Sequence, residues 1–335
     1  MNDPARPDQG VVAARPELGG GAATPSFGLP DDAPSGIPGP AAPLSIGPAR
    51  FAWGARTFVM GILNVTPDSF SGDGLLARNG GARPADPVER AVAIGLQMAS
   101  EGADLLDVGG ESTRPGHDVV AEADEIGRIV PVIHALRAAL PAMPLSIDTT
   151  KVRVAEAALD AGADLVNDVQ GVDPDPDLLG LVATRGLPIV LMHNRAEARY
   201  ANLMAEVVAD LQRSIEQAVR HGVAWHSIVV DPGFGFGKTP VHNVFLLREL
   251  ASLRILGRPI VLGTSRKSTL GKVLDLPPDE RVEATLATTA LGIAAGVDIV
   301  RVHDVGPNVR AARMADAIVR GTWPPVDDVT RGDAR

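Results

Sequence analysis

The sequence predicts a single (β/α)8 barrel on three observations. Short apolar runs recur along its 335 residues, at 60–71, 104–116, 145–148, 165–168, 189–194, 228–233, 260–267 and 299–304. Each run ends in polar or turn-forming residues, and amphipathic helical patterns fill the intervals between them. A parallel strand covered on both faces is apolar throughout, so polar groups confined to its carboxyl end have no packing use there. In this architecture they gather around one mouth.

Taken in order, residues 1–42 are rich in Pro, Gly and Ala and lack apolar periodicity, so they cannot bury enough surface to offset ordering entropy. A disordered tail is expected there. Residues 43–56, where Leu44, Ile46, Phe51 and Trp53 alternate with small residues, predict a short hairpin that plugs the amino-terminal end of the barrel ahead of a strand at 57–64. Helical patterns follow at 88–100, 123–139, 152–161, 177–184, 204–221, 241–256, 279–295 and 308–319. Gly102, Gly162, Gly222, Gly257 and Gly296 stand where helices end just ahead of the next strand. The long connections, at 65–86 and 109–121, follow the first two strands on the face where barrels carry binding loops. The folded unit is expected over 43–323, with a carboxyl-terminal tail at 324–335.

Bulk properties exclude several classes of function. A hydrophobic content of 45% is ample for one large core. The formal net charge of -10 repels polyanions, which argues against nucleic acid or an anionic membrane as a partner. The absence of cysteine rules out disulfides, thiolate catalysis and Cys-based zinc sites. No apolar run reaches the ~18 residues of a membrane span, and the amino terminus lacks a secretory profile. A soluble, cytoplasmic protein acting on small molecules is the expectation.

Several familiar motifs fail on inspection. The segment Asp231-Pro-Gly-Phe-Gly-Phe-Gly-Lys238 is not a Walker loop, because Pro232 occupies the place of the first Gly, and the dinucleotide pattern lacks its third Gly. Around Ser265 the nucleophile elbow is broken by Lys267. Asp173, Asp175 and Asp177 resemble a calcium loop, but Leu178 stands where Gly is required, so a helix start is the better reading. His193 and His303 have no partner at zinc-ligand spacing.

What remains is a set of strand-end residues facing one mouth: Asp107, Asp148, Asn167, Asp231, Lys267, Arg301 and His303. It divides by chemistry. Asp148, Asn167 and Asp231 can accept from and donate to the edge of a flat, amidine-containing ring. Arg301 and His303 are two apart on a strand, point to the same side, and suit an anion. Asp104, Glu111 and Asp168 have a plainer reading as groups that satisfy caps and backbone.

The segments Ile62-Leu-Asn-Val-Thr-Pro-Asp-Ser-Phe70, Asp107-Val-Gly-Gly-Glu-Ser-Thr-Arg-Pro-Gly116, Asp231-Pro-Gly-Phe-Gly-Phe-Gly-Lys238, Ser265-Arg-Lys-Ser268 and Arg301-Val-His-Asp304 closely resemble the dihydropteroate synthase family over 57–321. The resemblance implies condensation of 6-hydroxymethyl-7,8-dihydropterin diphosphate with 4-aminobenzoate, giving 7,8-dihydropteroate and diphosphate in folate synthesis. It also implies magnesium (Mg2+) and a homodimer. By position, Asn64 would help hold magnesium diphosphate; Asp148, Asn167, Asp231 and Lys267 would bind the pterin, with Met192 on its face; Arg301 and His303 would take the diphosphate. Thr113 and Arg114 would lie near diphosphate and aminobenzoate, while Phe70, Phe236 and Ser268 would shape the aminobenzoate pocket. Asp231, Lys267, Arg301 and His303 form the expected catalytic group. One departure from the family stands out: Gly72-Asp-Gly74 replaces Asp-Gly-Gly after Ser71, displacing the loop acid to Asp73.

The chemistry implied needs no enzyme nucleophile. Diphosphate leaves the exocyclic methylene, the ring delocalises the cation, and the arylamine attacks, so the protein must stabilise separating charge and exclude water. Two rivals share the ring-binding residues. A pterin-binding methyltransferase barrel would have no use for the diphosphate pole, and a non-catalytic pterin-binding paralogue would account for the displaced Asp73.

Overall fold

Eight short parallel strands place the mouth residues, and in the computed structural model they are described, with their surroundings, over residues 41–66, 86–111 and 120–323. A hairpin comes first, β1 (Leu44–Ile46) with β2 (Ala49–Phe51). The barrel strands are β3 (Phe58–Asn64), β4 (Leu105–Gly109), β5 (Leu145–Asp148), β6 (Leu165–Asp168), β7 (Ile189–Met192), β8 (Ile228–Asp231), β9 (Val261–Leu262) and β10 (Ile299–Val302). They run in the order β8-β7-β6-β5-β4-β3-β10-β9, every pairing being parallel. The ring closes between β8 and β9 through the bridge Val230 to Ile260, where the Val230 amide donates to Pro259 O at 2.9 Å. The expected (β/α)8 barrel and its bottom hairpin are therefore both present.

The helices that make the crossovers are α1 (Pro87–Ser100), α2 (Glu122–Ala139), α3 (Val152–Asp160), α4 (Pro176–Arg185), α5 (Leu203–Arg220), α6 (Pro240–Arg248), α7 (Ser268–Leu274), α8 (Val282–Ala294) and α9 (Val305–Val319). Their starts follow capping chemistry. Asp86 caps α1 through Val88 N, Asp175 caps α4 through Asp177 N, and each helix has Pro in its first turn. Asp175 and Asp177 thus serve a helix start, as expected. The pattern at 241–256 divides, because the chain leaves α6 at Glu249 and continues as a 3-10 turn over Leu250–Leu256. The helix α7 is a structural addition, too short at seven residues for periodicity to reveal.

Side chains alternate across each strand, so two cores form. Outward residues such as Leu63, Leu106, Val108, Ile147, Val166, Leu191, Val230, Leu262 and Val300 pack with the apolar stripes of the helices. Inward, Phe58, Met60, Leu105, Leu165, Val190, Val229, Val261 and Ile299 form a second cluster with Leu44, Ile46, Phe51 and Trp53 of the plug. Two residues further along each strand the inward column changes character. Leu105 is followed by Asp107, Leu165 by Asn167, Val190 by Met192, Val229 by Asp231, Val261 by Gly263 and Ile299 by Arg301. The barrel is apolar at its amino-terminal end and polar at its carboxyl end.

The 1–40 segment, most of the two long connections (67–85 and 112–119) and residues 324–335 lie outside the described residues, and with them Phe70, Asp73, Thr113 and Arg114.

The plug supplies a test of this division. The Phe51 ring is 1% exposed and stands 4.6 Å from Phe58 and 5.6 Å from Trp53. Phe51→Ala is expected to lower the unfolding free energy by about 3–5 kcal/mol, measured by urea denaturation, while leaving ligand affinity at the opposite mouth within error. An equal loss at the mouth would mean that the two layers are not separable.

Candidate active site

The polar layer is built around one guanidinium. Arg301, at the upper end of β10, donates from Nε to Asp107 Oδ2 at 2.6 Å and from Nη2 to Asp148 Oδ2 at 2.6 Å. Asn167 Nδ2 also donates to Asp107 Oδ2, at 3.1 Å. Asp107 is fully buried and Asp148 nearly so, and among the described residues the remaining oxygen of each, Oδ1, has no hydrogen-bond partner. Burial raises the Asp148 pKa to about 7 against the pull of Arg301, and the facing Asp107 adds to the rise. The same two carboxylates, working against burial, hold the Arg301 pKa above its ordinary value.

The opposite wall belongs to β8 and the turn after it. Asp231 is buried, its Oδ1 accepting from Gly233 N at 2.7 Å, and burial raises its pKa although Lys267 opposes the shift. Gly263 separates Asp231 from Arg301: a Cβ there would lie 3.9 Å from Asp231 Oδ2 and 3.8 Å from Arg301 Cβ, so a side chain would fill the space between them. Lys267 reaches across from the start of α7. Its Nζ donates to Phe234 O and stands 4.4 Å above the Phe236 ring. Burial draws its pKa down to about 8, against the attraction of Asp231. Met192 pairs in register with Asp231 and is buried.

The remaining expected residues are distributed around this centre. Asn64 ends β3 opposite Gly109, and a Cβ on Gly109 would lie 3.8 Å from Asn64 Oδ1 and 3.9 Å from Asp148 Oδ2. The missing side chain leaves those two oxygens facing one space. His303 follows β10, with Nδ1 3.0 Å from Ser265 Oγ, which also accepts from the His303 amide at 3.1 Å. Ser268 is exposed at the first position of α7. Phe236 is half-buried beside Lys267. The structure therefore brings Asn64, Asp148, Asn167, Met192, Asp231, Phe236, Lys267, Arg301 and His303 to the carboxyl end of one barrel. The Arg301 guanidinium, expected at an anion pole, is engaged by the carboxylates of Asp107 and Asp148.

Three groups read as backbone satisfiers hold that role. Asp168 Oδ1 accepts from Gln170 N, Asp104 Oδ2 from Val59 N and Glu111 Oε1 from Val120 N. Sequence reasoning missed two buried charge networks. In one, Lys151 Nζ joins Glu111, at 2.5 Å, to the fully buried Glu125, at 2.6 Å. In the other, His193 lies between Asp210 and Lys238. Asp210 and Glu125 occupy the buried faces of α5 and α2, and an acid within an apolar stripe was the available signal.

Comparison with known proteins agrees with this geometry. Residues 60–303 match the pterin binding enzyme family. The chain is 47% identical to the dihydropteroate synthase of Clostridium beijerinckii over 278 residues, covering 83% of this chain and all of that one. Among solved structures it superposes on Clostridium difficile dihydropteroate synthase determined with pteroic acid (47% identity, 81% and 99% of the two chains, TM-score 0.75). The Xanthomonas albilineans enzyme with 4-aminobenzoic acid is similarly close (42%, 83% and 98%, TM-score 0.76). The family match over residues 60–303 and the 47% identity over 278 residues, on a barrel whose carboxyl end carries two walls of hydrogen-bonding side chains, make the chain a member of the dihydropteroate synthase family of pterin-binding enzymes.

Proposed function

We propose that the mouth of this barrel condenses 6-hydroxymethyl-7,8-dihydropterin diphosphate with 4-aminobenzoate, and that its residues divide the work as follows. The observation that carries the reading is the pair of buried carboxylate oxygens without partners, Asp107 Oδ1 and Asp148 Oδ1, facing a wall that holds Asp231. Buried acceptors left unpaired cost about 1–3 kcal/mol each. A flat ring with several N–H donors recovers that cost, and a ligand without them does not.

The ring would lie between Met192 and the Arg301 guanidinium, with Asp148, Asn167 and Asp231 along its edge and Lys267 donating at its far side. As the methylene–oxygen bond lengthens, the Asp148 and Asp231 carboxylates stabilise the positive charge spreading through the ring. His303, with Arg301, faces the departing diphosphate. Phe236 and Ser268 border the space for 4-aminobenzoate, a role extended to Phe70, Thr113, Arg114 and Asp73, which lie outside the described residues.

The donor set fits magnesium of the kind held mainly by a substrate. Among the described residues no group of three acidic or His side chains is arranged to hold a metal ion, and Asn64 supplies one neutral oxygen facing the same space as Asp148. Magnesium usually takes one or two protein oxygens and completes its shell with phosphates and water. When bound, it would neutralise the diphosphate and improve it as a leaving group.

Exposed apolar residues on three neighbouring helices, Val241, Val244 and Phe245 on α6, Val273 and Leu274 on α7 and Leu291 on α8, support the homodimer that the resemblance implies. No described helix is long and apolar enough to cross a membrane, and with no cysteine to oxidise the chain suits the reducing cytoplasm.

The decisive assay combines purified protein, dihydropterin diphosphate, 4-aminobenzoate and magnesium, with dihydropteroate and diphosphate as products in equal amounts. Ring binding without turnover would instead favour the non-catalytic paralogue. Asp231→Asn is expected to weaken the bare pterin alcohol by roughly one to two decades, because one acceptor becomes a donor facing the ring's own donors. Unchanged calorimetric affinity would remove Asp231 from the pocket.

The Asp148 shift adds a pH dependence. Its folded pKa of about 7 lies above the usual carboxylate value, so its contribution to folding stability is complete below the unfolded pKa and is lost as pH rises through about 7. Ring binding has the opposite sign, since the ring needs the ionised acceptor. Affinity for the pterin alcohol should increase from pH 5.5 to about 7.5, and Asp148→Asn should remove most of that rise. An unaltered acid limb in the variant would assign it to another group.

A further inference from the structure

The loop over 232–237 follows Asp231 and carries Phe236, yet it is irregular backbone lying against β7 and its carboxyl-terminal extension. It fits there only because of its glycines. Gly233 has φ +65°, and a Cβ on it would come 1.8 Å from His193 O; Gly237 has φ +54°, with Arg195 O 2.3 Å from the same position. Beneath this loop lies the side chain of Lys238. Its Nζ is within 3.1 Å of both Gly233 O and Phe236 O and 2.8 Å from His193 Nδ1. Three acceptors surround one nitrogen, which only a protonated amine can satisfy with three donors.

The network continues away from the pocket. Because Nδ1 accepts from Lys238, the His193 proton resides on Nε2 and is donated to Asp210 Oδ2 at 3.1 Å. Asp210 is also held by Arg195 Nε at 2.7 Å, and Arg195 by Glu206 at 2.7 Å. Burial, and after it the Lys238 charge, keep the His193 pKa down at about 3, so this ring stays neutral and remains an acceptor. Two further contacts complete the grip on the loop: Tyr200 Oη donates to Gly237 O at 2.8 Å, and Gly235 N donates to Asn243 Oδ1 at 2.8 Å.

The upper side of the loop faces the pocket. Phe234 O accepts from Lys267 Nζ, a Cβ on Gly235 would come 2.9 Å from Lys267 Cδ, and the Phe236 ring lies under the Lys267 ammonium. Whatever fixes the loop therefore also fixes Lys267.

We propose that Lys238 is a positioning residue for the ring-binding wall: its ammonium, seated on the His193 ring that Asp210 holds in place, closes the 232–237 loop from beneath and so sets where Phe236 and the Lys267 ammonium stand. Lys238 does not touch the bound ring. It acts through the two carbonyls it holds.

The charges around it make the device sensitive to pH. Lys238 is faced by Asp231 from β8, by Lys267 from the β9–α7 connection, by His193 and Arg195 from the segment after β7 and by Asp210 from α5. Burial draws its pKa down to about 7, against the attraction of Asp231 and with the repulsion of Lys267 adding to the fall. As pH rises through that range one of the three acceptors loses its donor and the loop loosens.

The test rests on the pterin-binding reading and compares wild-type protein with Lys238→Gln and Lys238→Met. Each is measured for calorimetric affinity toward the bare pterin alcohol between pH 6 and 9.5, for kcat and KM, and for thermal melting. Both variants are expected to lose about tenfold in ring affinity at pH 6.5, the equivalent of one or two hydrogen bonds. Their remaining alkaline limb, which belongs to Lys267, should also move to higher pH, since a neighbouring positive charge has been removed. A purely structural role would lower the melting temperature and leave the limb in place.

Ring affinity within twofold of wild type, or an unmoved limb, in either folded variant would overturn the inference. If the Met variant fails to fold, the Gln variant, which keeps two donors, decides. If both fail, wild-type affinity that stays constant between pH 6.5 and 9 overturns it alone. Wild-type protein that binds no pterin at any pH would refute the underlying reading instead.

Discussion

The mouth of this barrel depends on the Arg301 guanidinium between Asp107 and Asp148. Two buried carboxylates facing each other cannot both ionise without a cation, and an Arg is the one basic side chain that burial cannot neutralise. Its two donors, each 2.6 Å from a carboxylate oxygen, fix both acids and leave the other oxygen of each open to the mouth. The compensation is incomplete: one guanidinium meets two acids, and Asp148 holds its proton up to about pH 7. The wall is thus assembled in advance and unsatisfied, which is the condition in which a ligand with matching donors gains most.

That arrangement is stable only because the rest of the barrel is ordinary. Below the polar layer, the cluster of Phe51, Trp53, Phe58 and the lower inward residues excludes water and offers no competing partner to the acids above it. Outside the strands, a continuous apolar layer of helices takes the other face. Strands are stiff supports, and the side chains of Asp107, Asp148, Asn167, Asp231 and Arg301 sit on them. The loop after β8 is intermediate. It is irregular backbone, but Lys238, Tyr200 and Asn243 each hydrogen-bond to it.

How far the sequence disclosed this follows from the range of the interactions. Strand ends were legible because a short apolar run that turns polar near Asp107, Asn167, Asp231 and Arg301 is a local pattern. The hairpin plug was legible for the same reason, through Leu44, Ile46, Phe51 and Trp53. The seven-residue α7 was not, since two turns give too few positions to define a period, and Lys267 read as a strand-end residue with no helix after it. The pairing of Arg301 with Asp107, 194 residues apart, has no signature in one sequence, so Arg301 read as a free cation suited to an anion. Lys238, His193 and Asp210 were hidden likewise, although an acid at 210 inside the apolar stripe of α5 was a visible anomaly.

The electrostatics of the two walls bear on how the reaction would be accelerated. Burial raises the pKa of Asp148 and Asp231 and lowers that of Lys267 and Lys238, so the charged form of each group is less favoured here than in water. A neutral pterin ring offers hydrogen-bond donors to the ionised acids but no charge to offset their burial. When the carbon–oxygen bond begins to break, positive charge appears in the ring beside Asp148 and Asp231, and the ionised form of each acid, disfavoured until then, becomes the favoured one. The interaction is therefore stronger in the transition state than in the ground state, and only such a difference raises kcat. A site of fully ionised and fully paired acids would bind the ring as well, but would have less left to give as the cation forms.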